Sequence, residues 1–100
     1  MERMFEEYAL GNVSLANRFV FPPIKLGYGS PDGTVTGRQL TFYRQIARQG
    51  PAVVIVEPVS VTADGREHPK QPCIHLDRSE QELKKIADVI HEEKRLACLH

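Results

Sequence analysis

Residues 50–58 read GPAVVIVEP, and the five residues at the centre of this stretch are apolar and mostly β-branched. A continuous run of this kind is typical of a strand that is covered on both faces, as in parallel sheets. Gly50 and Pro51 end the element before it, because glycine suits a left-handed helix cap and proline cannot continue a helix. We therefore predict a buried parallel strand over residues 52–56.

A helix is predicted on each side of this strand. Thr36 and Gln39 have capping-box spacing, so the first helix is expected to begin there. The second is expected to be capped near Asp77 or Ser79, and Ser79 with Glu82 repeats the same spacing. Apolar residues recur at helical spacing in both segments: Leu40, Tyr43, Ile46 and Ala47 in the first, and Leu83, Ile86, Ala87 and Ile90 in the second.

Two further strands and a hairpin complete the predicted order. Residues 19–21 are a short apolar run, predicted to be buried, that Pro22-Pro23 stops because neither proline can donate to a sheet ladder. Residues 96–99 form the last apolar run. Near the start, two short runs flank Gly11-Asn12, which is typical of a β-hairpin. A hairpin followed by β-α-β-α-β predicts an α/β fold with parallel strands and right-handed crossovers.

Composition narrows the class of protein. Thirteen basic and thirteen acidic residues balance, so we expect no general attraction to nucleic acid or anionic membrane. No apolar run approaches the ~20 residues of a membrane span, and the first residues do not resemble a secretory signal, so a cytoplasmic location is expected.

Of the two expected free thiols, we predict that Cys98 is buried in its apolar run and that Cys73 is exposed in a loop. His68 and His75 lack partners at metal-ligand spacing, so no metal site is expected.

Candidate site residues follow from topology alone. Ligands of parallel α/β folds bind beyond the carboxyl ends of the strands. The segments that leave those ends are residues 22–25, Glu57-Pro58 and His100, which we expect to converge on one face. Glu57 is either a carboxylate on the ligand side or a residue paired with a nearby arginine. Since buried acids are usually paired, we favour the structural role, with Arg18 a candidate partner.

A family resemblance then covers nearly the whole chain. Residues 10–23, LGNVSLANRFVFPP, resemble an opening hairpin that reads roughly IGNLTLKNR and a first strand that ends in MxPM. Four later stretches follow in the same order: DGTVT at 32–36 resembles DGxVT, FYRQIARQG at 42–50 resembles YxxxAxGG, VIVEPVSV at 54–61 resembles IxEATAV, and IADVIH at 86–91 resembles ADAVH. These are motifs of the Old Yellow Enzyme, NADH:flavin oxidoreductase and 2,4-dienoyl-CoA reductase family.

The resemblance implies the amino-terminal part of a TIM (β/α)8 barrel whose bottom is capped by the hairpin. Residues 1–100 would then be one segment of a single FMN-binding domain, and we expect the barrel to continue beyond His100, since about 250 residues are normal for the closed fold. By position, Pro22, Pro23, Ile24 and Lys25 would lie along the flavin. Pro58 would stand beside the ring where the family often has alanine, and His100 would take the place of a glutamine at the pyrimidine edge.

Lys25 departs from the family, which usually has threonine, serine or cysteine near the reactive edge of the flavin. A cation there would stabilise reduced, anionic flavin and raise its midpoint potential. The alternative, which residue statistics favour, is a solvated loop lysine. The family's substrate-carbonyl donors and proton-donating tyrosine lie later in sequence, so no catalytic residue is assigned here.

The activity that the resemblance implies is an FMN-dependent oxidoreductase. NAD(P)H would reduce the flavin, which would pass hydride to a small-molecule activated alkene such as an enone or enoyl thioester. A homo-oligomer is compatible with this interpretation. Three alternatives stay open: a catalytically inactive fragment, a small α/β binding module without redox activity, and an amine dehydrogenase of the same family.

Overall fold

The computed structural model describes residues 2–100. A short 3-10 turn at Glu2–Phe5 precedes seven regular elements: β1 (Tyr8–Leu10), β2 (Val13–Leu15), β3 (Val20–Phe21), α1 (Gly37–Arg48), β4 (Val53–Ile55), α2 (Ser79–Glu92) and β5 (Leu96–Cys98). This is the predicted element order, and β3, β4 and β5 are each shorter than the apolar run that predicted them.

Strands β1 and β2 form the predicted hairpin. They pair antiparallel, with Tyr8 opposite Leu15 and Leu10 opposite Val13. The turn between them requires a left-handed residue, and Gly11 supplies it with φ +59°. The hairpin is a sheet of its own, separate from the strands that follow.

Strands β3, β4 and β5 form a parallel sheet in that spatial order, as predicted. Val53 of β4 is opposite Val20 on one side and Leu96 on the other, so the three strands are aligned across the sheet. Their carboxyl ends therefore meet at one edge. β3 is an outer strand. Val20 in it and Phe19 just before it are 49% and 40% exposed, so the prediction that the run over residues 19–21 is buried is wrong.

The core lies where α1 and α2 pack together against one face of the parallel sheet. Its buried residues are Val35, Tyr43, Ala47, Val54, Val56, Ile86, Val89 and Ile90. Val54 is fully buried, whereas its neighbours Val53 and Ile55 are only half-buried. The sheet is thus covered on one face within residues 2–100, and the predicted coverage of β4 on both faces is not found there.

The two helices differ in how they begin. The capping box of α1 is present, with Thr36 and Gln39 each accepting a backbone amide of the other, and Gly50 follows the helix with φ +104°. The second predicted capping box is absent, since Arg78 occupies the cap position without a side-chain hydrogen bond. Its glutamate is used elsewhere: Glu82 accepts the amide of Val35 at 2.8 Å.

Both cysteine predictions are reversed in the structure. Cys73 is buried, because an isolated bridge to Ser60 draws its segment against the body of the fold. Cys98 is exposed. It alternates along β5 with Ala97, which is the residue that packs towards the core.

Candidate functional site

The three segments expected to form a site do leave the same edge of the parallel sheet. Residues 22–25 follow β3, Pro58 lies beyond β4 and His100 lies beyond β5. The backbone amide of Val59 donates to the carbonyl of His100 at 2.9 Å, so the last two segments are in direct contact. We call this edge, with its residues 22–25, 57–59 and 100, the carboxyl edge.

The candidate residues at the carboxyl edge are largely accessible. Pro22, Ile24, Lys25 and His100 are exposed, and Pro23 and Pro58 are half-buried. The side chains of the prolines and of Ile24 are apolar and carry no hydrogen-bond donor, whereas Lys25 and His100 are the exposed polar residues of the same edge. The arrangement can accept a flat, partly apolar ligand against the strand ends.

A buried carboxylate lies directly beneath this surface. Glu57 is 2% exposed, and its Oε2 accepts the hydroxyl of Tyr43 at 2.8 Å and the side-chain amide of Gln39 at 3.4 Å. The Tyr43 oxygen in turn accepts the backbone amide of Glu57 at 2.8 Å. The Tyr43 hydroxyl therefore binds both the side-chain carboxylate and the backbone amide of Glu57, and it holds the chain at the point where β4 passes into the loop that follows it.

The predicted arginine partner of Glu57 is wrong. Arg18 instead stacks its guanidinium over the ring of Tyr8, 4.7 Å from the ring centre, in the hairpin. Within residues 2–100, no lysine or arginine forms an ion pair with Glu57. Burial consequently raises the pKa of Glu57, while hydrogen bonds from Tyr43, Gln39 and the Leu26 amide oppose the rise only in part.

The pKa of Tyr43 is shifted as well. Burial raises the pKa of its phenol, and the neighbouring carboxylate of Glu57 raises it further. Tyr43 is consequently a neutral hydrogen-bond donor near neutral pH. Its position on the apolar stripe of α1 was predicted, and a buried tyrosine usually finds a partner for its hydroxyl. That rule was the only sequence signal for the network.

Lys25 has a partner that sequence reasoning missed. Its ammonium contacts the carboxylate of Glu67, which belongs to the long loop between β4 and α2. Both side chains are more than half exposed, at 60% and 52%. The hydrogen bond and the charge of Lys25 lower the pKa of Glu67. Lys25 is thus an exposed loop lysine, as the solvated interpretation expected, but with an ionic contact.

A second cross-link joins the loops that follow β3 and β4. The guanidinium of Arg66 donates to the carbonyls of Ser30 at 2.8 Å, Pro31 at 2.6 Å and Gln71 at 2.8 Å. Gly29 passes so close to the backbone of Lys70 that a side chain there would overlap the carbonyl oxygen. The two loops therefore behave as one layer above the carboxyl edge. No local pattern in the sequence predicts these contacts.

Two apolar grooves flank the outer strands of the parallel sheet. An apolar groove of about 560 Å³ follows β3 and the end of α1, where its lining includes Phe19, Phe21 and Ile46. Another, of about 340 Å³, lies between β5 and α2. The first groove reaches the carboxyl edge at Pro22, but most of its lining lies along β3 and the end of α1, and both grooves offer apolar surface for packing.

The described part of the chain contains neither a cluster of metal ligands nor a helix suited to cross a membrane. No three histidine, cysteine, aspartate or glutamate side chains there cluster closely enough to hold a metal ion. Neither of its helices combines the length and apolar character that crossing a bilayer requires.

Comparison with known proteins places this geometry in context. The family model described as NADH:flavin oxidoreductase / NADH oxidase matches residues 3–100. A bilirubin reductase of Mediterraneibacter gnavus (strain CC55_001C) is 30% identical over 90 residues, which is 90% of this chain and 14% of that protein. An NADPH dehydrogenase of Listeria monocytogenes serotype 4b (strain F2365) is 32% identical over 92 residues, 91% of this chain and 27% of that protein.

Solved structures agree with the sequence matches. An Old Yellow Enzyme from Pichia sp. AKU4542 superposes with a TM-score of 0.88 at 26% identity, over 97% of this chain and 25% of that one. A 2-naphthoyl-CoA reductase bound to 2-naphthoyl-CoA superposes with a TM-score of 0.94 at 21% identity, over 99% of this chain and 15% of that one, a likeness of fold alone. The chain thus spans between about a seventh and about a quarter of the proteins it matches here.

Proposed function

The chain belongs to the NADH:flavin oxidoreductase / NADH oxidase family, and from that premise we propose that its protein is an FMN-dependent NAD(P)H oxidoreductase that reduces activated alkenes. The observation that carries the proposal is the convergence of three post-strand segments on the carboxyl edge, with the Val59 amide bound to the carbonyl of His100. FMN, when bound, supplies hydride transfer between the nicotinamide and the alkene.

The residues at the carboxyl edge fit a flavin in character. Pro22, Pro23 and Ile24 would support the ring with apolar surface, and Pro58 would close the same wall from β4. His100 would donate to a carbonyl of the pyrimidine edge. Lys25 would place its charge near the reactive edge, and this cation would favour the reduced, anionic form of the flavin.

We further propose that β3, β4 and β5 are consecutive strands of a (β/α)8 barrel and that the β1–β2 hairpin closes its amino-terminal end. Parallel pairing in chain order, with both helices on one face, supports this. The two apolar grooves flank the outer strands, where adjacent strands and helices of a barrel would pack. Residues 1–100 would then be part of one FMN-binding domain.

Purification of the protein from its complete reading frame tests the proposal. We expect a yellow protein that releases FMN on denaturation, is bleached anaerobically by NADPH or NADH, and regains its colour when an enone is added. A colourless protein that binds no added FMN would support the binding module or the inactive fragment. Bleaching by an amine rather than by NAD(P)H would support the amine dehydrogenase.

Two matched variants locate the site. Pro58 and Pro51 are half-buried prolines at opposite ends of β4. Pro58→Glu adds a charge to the proposed flavin wall and should weaken FMN binding at least tenfold, since a tenfold loss needs only about 1.4 kcal/mol. Pro51→Glu adds the same charge at the other end of the strand and should leave FMN affinity unchanged. Equal losses would argue against the carboxyl edge as the site.

A further inference from the structure

The ion pair between Lys25 and Glu67 joins the loop after β3 to the loop after β4. Exposed ion pairs contribute little to stability, typically about 0–1 kcal/mol. A structural role therefore gives little reason for a carboxylate at this position. The location suggests a different role, because Lys25 stands at the carboxyl edge where we place the flavin.

Glu67 is held in place by contacts other than its ion pair. Its backbone amide donates to the side-chain oxygen of Gln71 at 2.6 Å, and the amide group of the same Gln71 donates to the carbonyl of Pro58 at 3.2 Å. Gln71 is only 5% exposed. A buried side chain thus fixes the distance between Glu67 and the turn that carries Pro58.

The residue before Glu67 is anchored as well. Arg66 binds three carbonyls in two loops, which leaves little freedom to the backbone on which Glu67 stands. The carboxylate is therefore presented to Lys25 from a fixed position, and the flexible partner is the lysine. Glu67 determines where the ammonium rests and how much of its charge remains uncompensated.

We propose that Glu67 is a positioning residue that acts through Lys25 and lowers the midpoint potential of the bound flavin. A free ammonium beside the flavin would stabilise its reduced, anionic form, whereas a paired ammonium does so less because the carboxylate offsets its field. The inference rests on the proposed function, since it requires FMN at the carboxyl edge. It assigns the control of the potential to two loops rather than one residue.

A double-mutant cycle on the full-length holoprotein tests the inference. Midpoint potentials are measured for the wild type, Glu67→Gln, Lys25→Thr and the double variant. We expect Glu67→Gln to raise the potential when Lys25 is present and to have a clearly smaller effect in the Lys25→Thr background. Glu67→Ala, which also removes the carboxylate, should shift the potential in the same direction.

Two controls separate this effect from general changes in surface charge. Glu92→Gln breaks a comparable exposed pair, with Arg44 at 3.7 Å, near the carboxyl end of α2 and so at the opposite end of the sheet. It should leave the potential unchanged. The shift caused by Glu67→Gln should also shrink as salt is raised from 0.01 M to 1 M, because the screening length falls from about 30 Å to about 3 Å.

The possible outcomes distinguish the inference from the function it rests on. Absence of FMN from every form would contradict the proposed function itself. Bound FMN with no shift in Glu67→Gln, a downward shift, or an equal shift with and without Lys25 would overturn the role of Glu67 and leave the flavoprotein assignment intact.

Discussion

Replacing Tyr43 with phenylalanine probes the link between the helix core and the carboxyl edge. The ring is 1% exposed, and the substitution keeps it while deleting one oxygen, so packing changes little. The loss falls on two hydrogen bonds of 2.8 Å, one donated to the Glu57 carboxylate and one accepted from the Glu57 amide. The Glu57 amide is left without a partner, which costs about 1–3 kcal/mol. The carboxylate keeps Gln39 but loses a hydrogen bond to a charged group, worth about 1.5–3 kcal/mol. We expect the free energy of unfolding to fall by about 2.5–6 kcal/mol, a large share of the 5–15 kcal/mol that is typical.

The loss should depend on pH in a defined direction. The Tyr43 hydroxyl is one of the groups that restrain the raised pKa of Glu57, so the variant should raise this pKa further. When the pKa of a carboxyl group is raised in the folded state, the folded protein becomes less stable as pH rises from the unfolded pKa, about 4.5, through the folded pKa. The variant should consequently be more destabilised at pH 7.5 than at pH 4.5.

Urea unfolding of the purified protein, followed by far-UV circular dichroism at both pH values, measures this. Tyr28→Phe is the matched control, because the Tyr28 hydroxyl makes no hydrogen bond within residues 2–100 and its ring keeps its stacking on Arg38. That variant should lie within about 0.5 kcal/mol of the wild type. If Tyr43→Phe matches Tyr28→Phe, the hydroxyl does not sustain the network and the reasoning fails.

Three further predictions concern the same layer of loops and strand ends. The raised pKa of Glu57 makes the wild type less stable as pH increases above about 4.5. Glu57→Gln removes this group, so the unfolding free energy of the variant relative to the wild type should rise over that range. Parallel curves of unfolding free energy against pH would contradict this. A lysine ammonium cannot bind three carbonyls as the guanidinium of Arg66 does. In Arg66→Lys, residues 57–74 should therefore exchange amide hydrogens faster, with no change in α1. Unchanged exchange in the loop would count against the cross-link. Gly29→Ala should destabilise, because its methyl group would overlap the Lys70 carbonyl. Gly37→Ala, in open space at the first residue of α1, should stabilise by about 0.4–1 kcal/mol in thermal unfolding, because alanine leaves the unfolded chain less conformational freedom. Equal effects of the two substitutions would refute the close approach.

Local signals in the sequence were sufficient for the elements and their order. The Gly11 turn, the Thr36–Gln39 capping box and the Gly50 helix end each depend on a few adjacent residues, and each is found as predicted. Parallel pairing followed from the alternation of strands and helices. The convergence of the segments after the strands followed from that topology, before any side chain was considered.

Contacts between distant residues were not predictable in this way. Ser79 and Glu82 have the spacing of a capping box, but Glu82 binds an amide 47 positions earlier and the local motif is lost. The partners of Glu57 and Lys25 come from other elements. For Glu57 an arginine was expected from residue frequencies, and for Lys25 no partner was predicted. The prediction of burial was wrong for β3 and Cys98, because the burial of a strand depends on what covers it rather than on the composition of the strand.

Strands β3 and β5 each pair on one side only, since β4 lies between them and no other strand joins their sheet within residues 2–100. The two open sides are not equivalent, because one belongs to the first strand of the ladder and the other to the last. Copies of these residues expressed alone could extend the ladder in parallel only by joining the β3 side of one to the β5 side of the next. Such head-to-tail growth yields a ring if the rotation closes and a fibre if it does not, and a two-fold symmetric dimer would need an antiparallel junction instead.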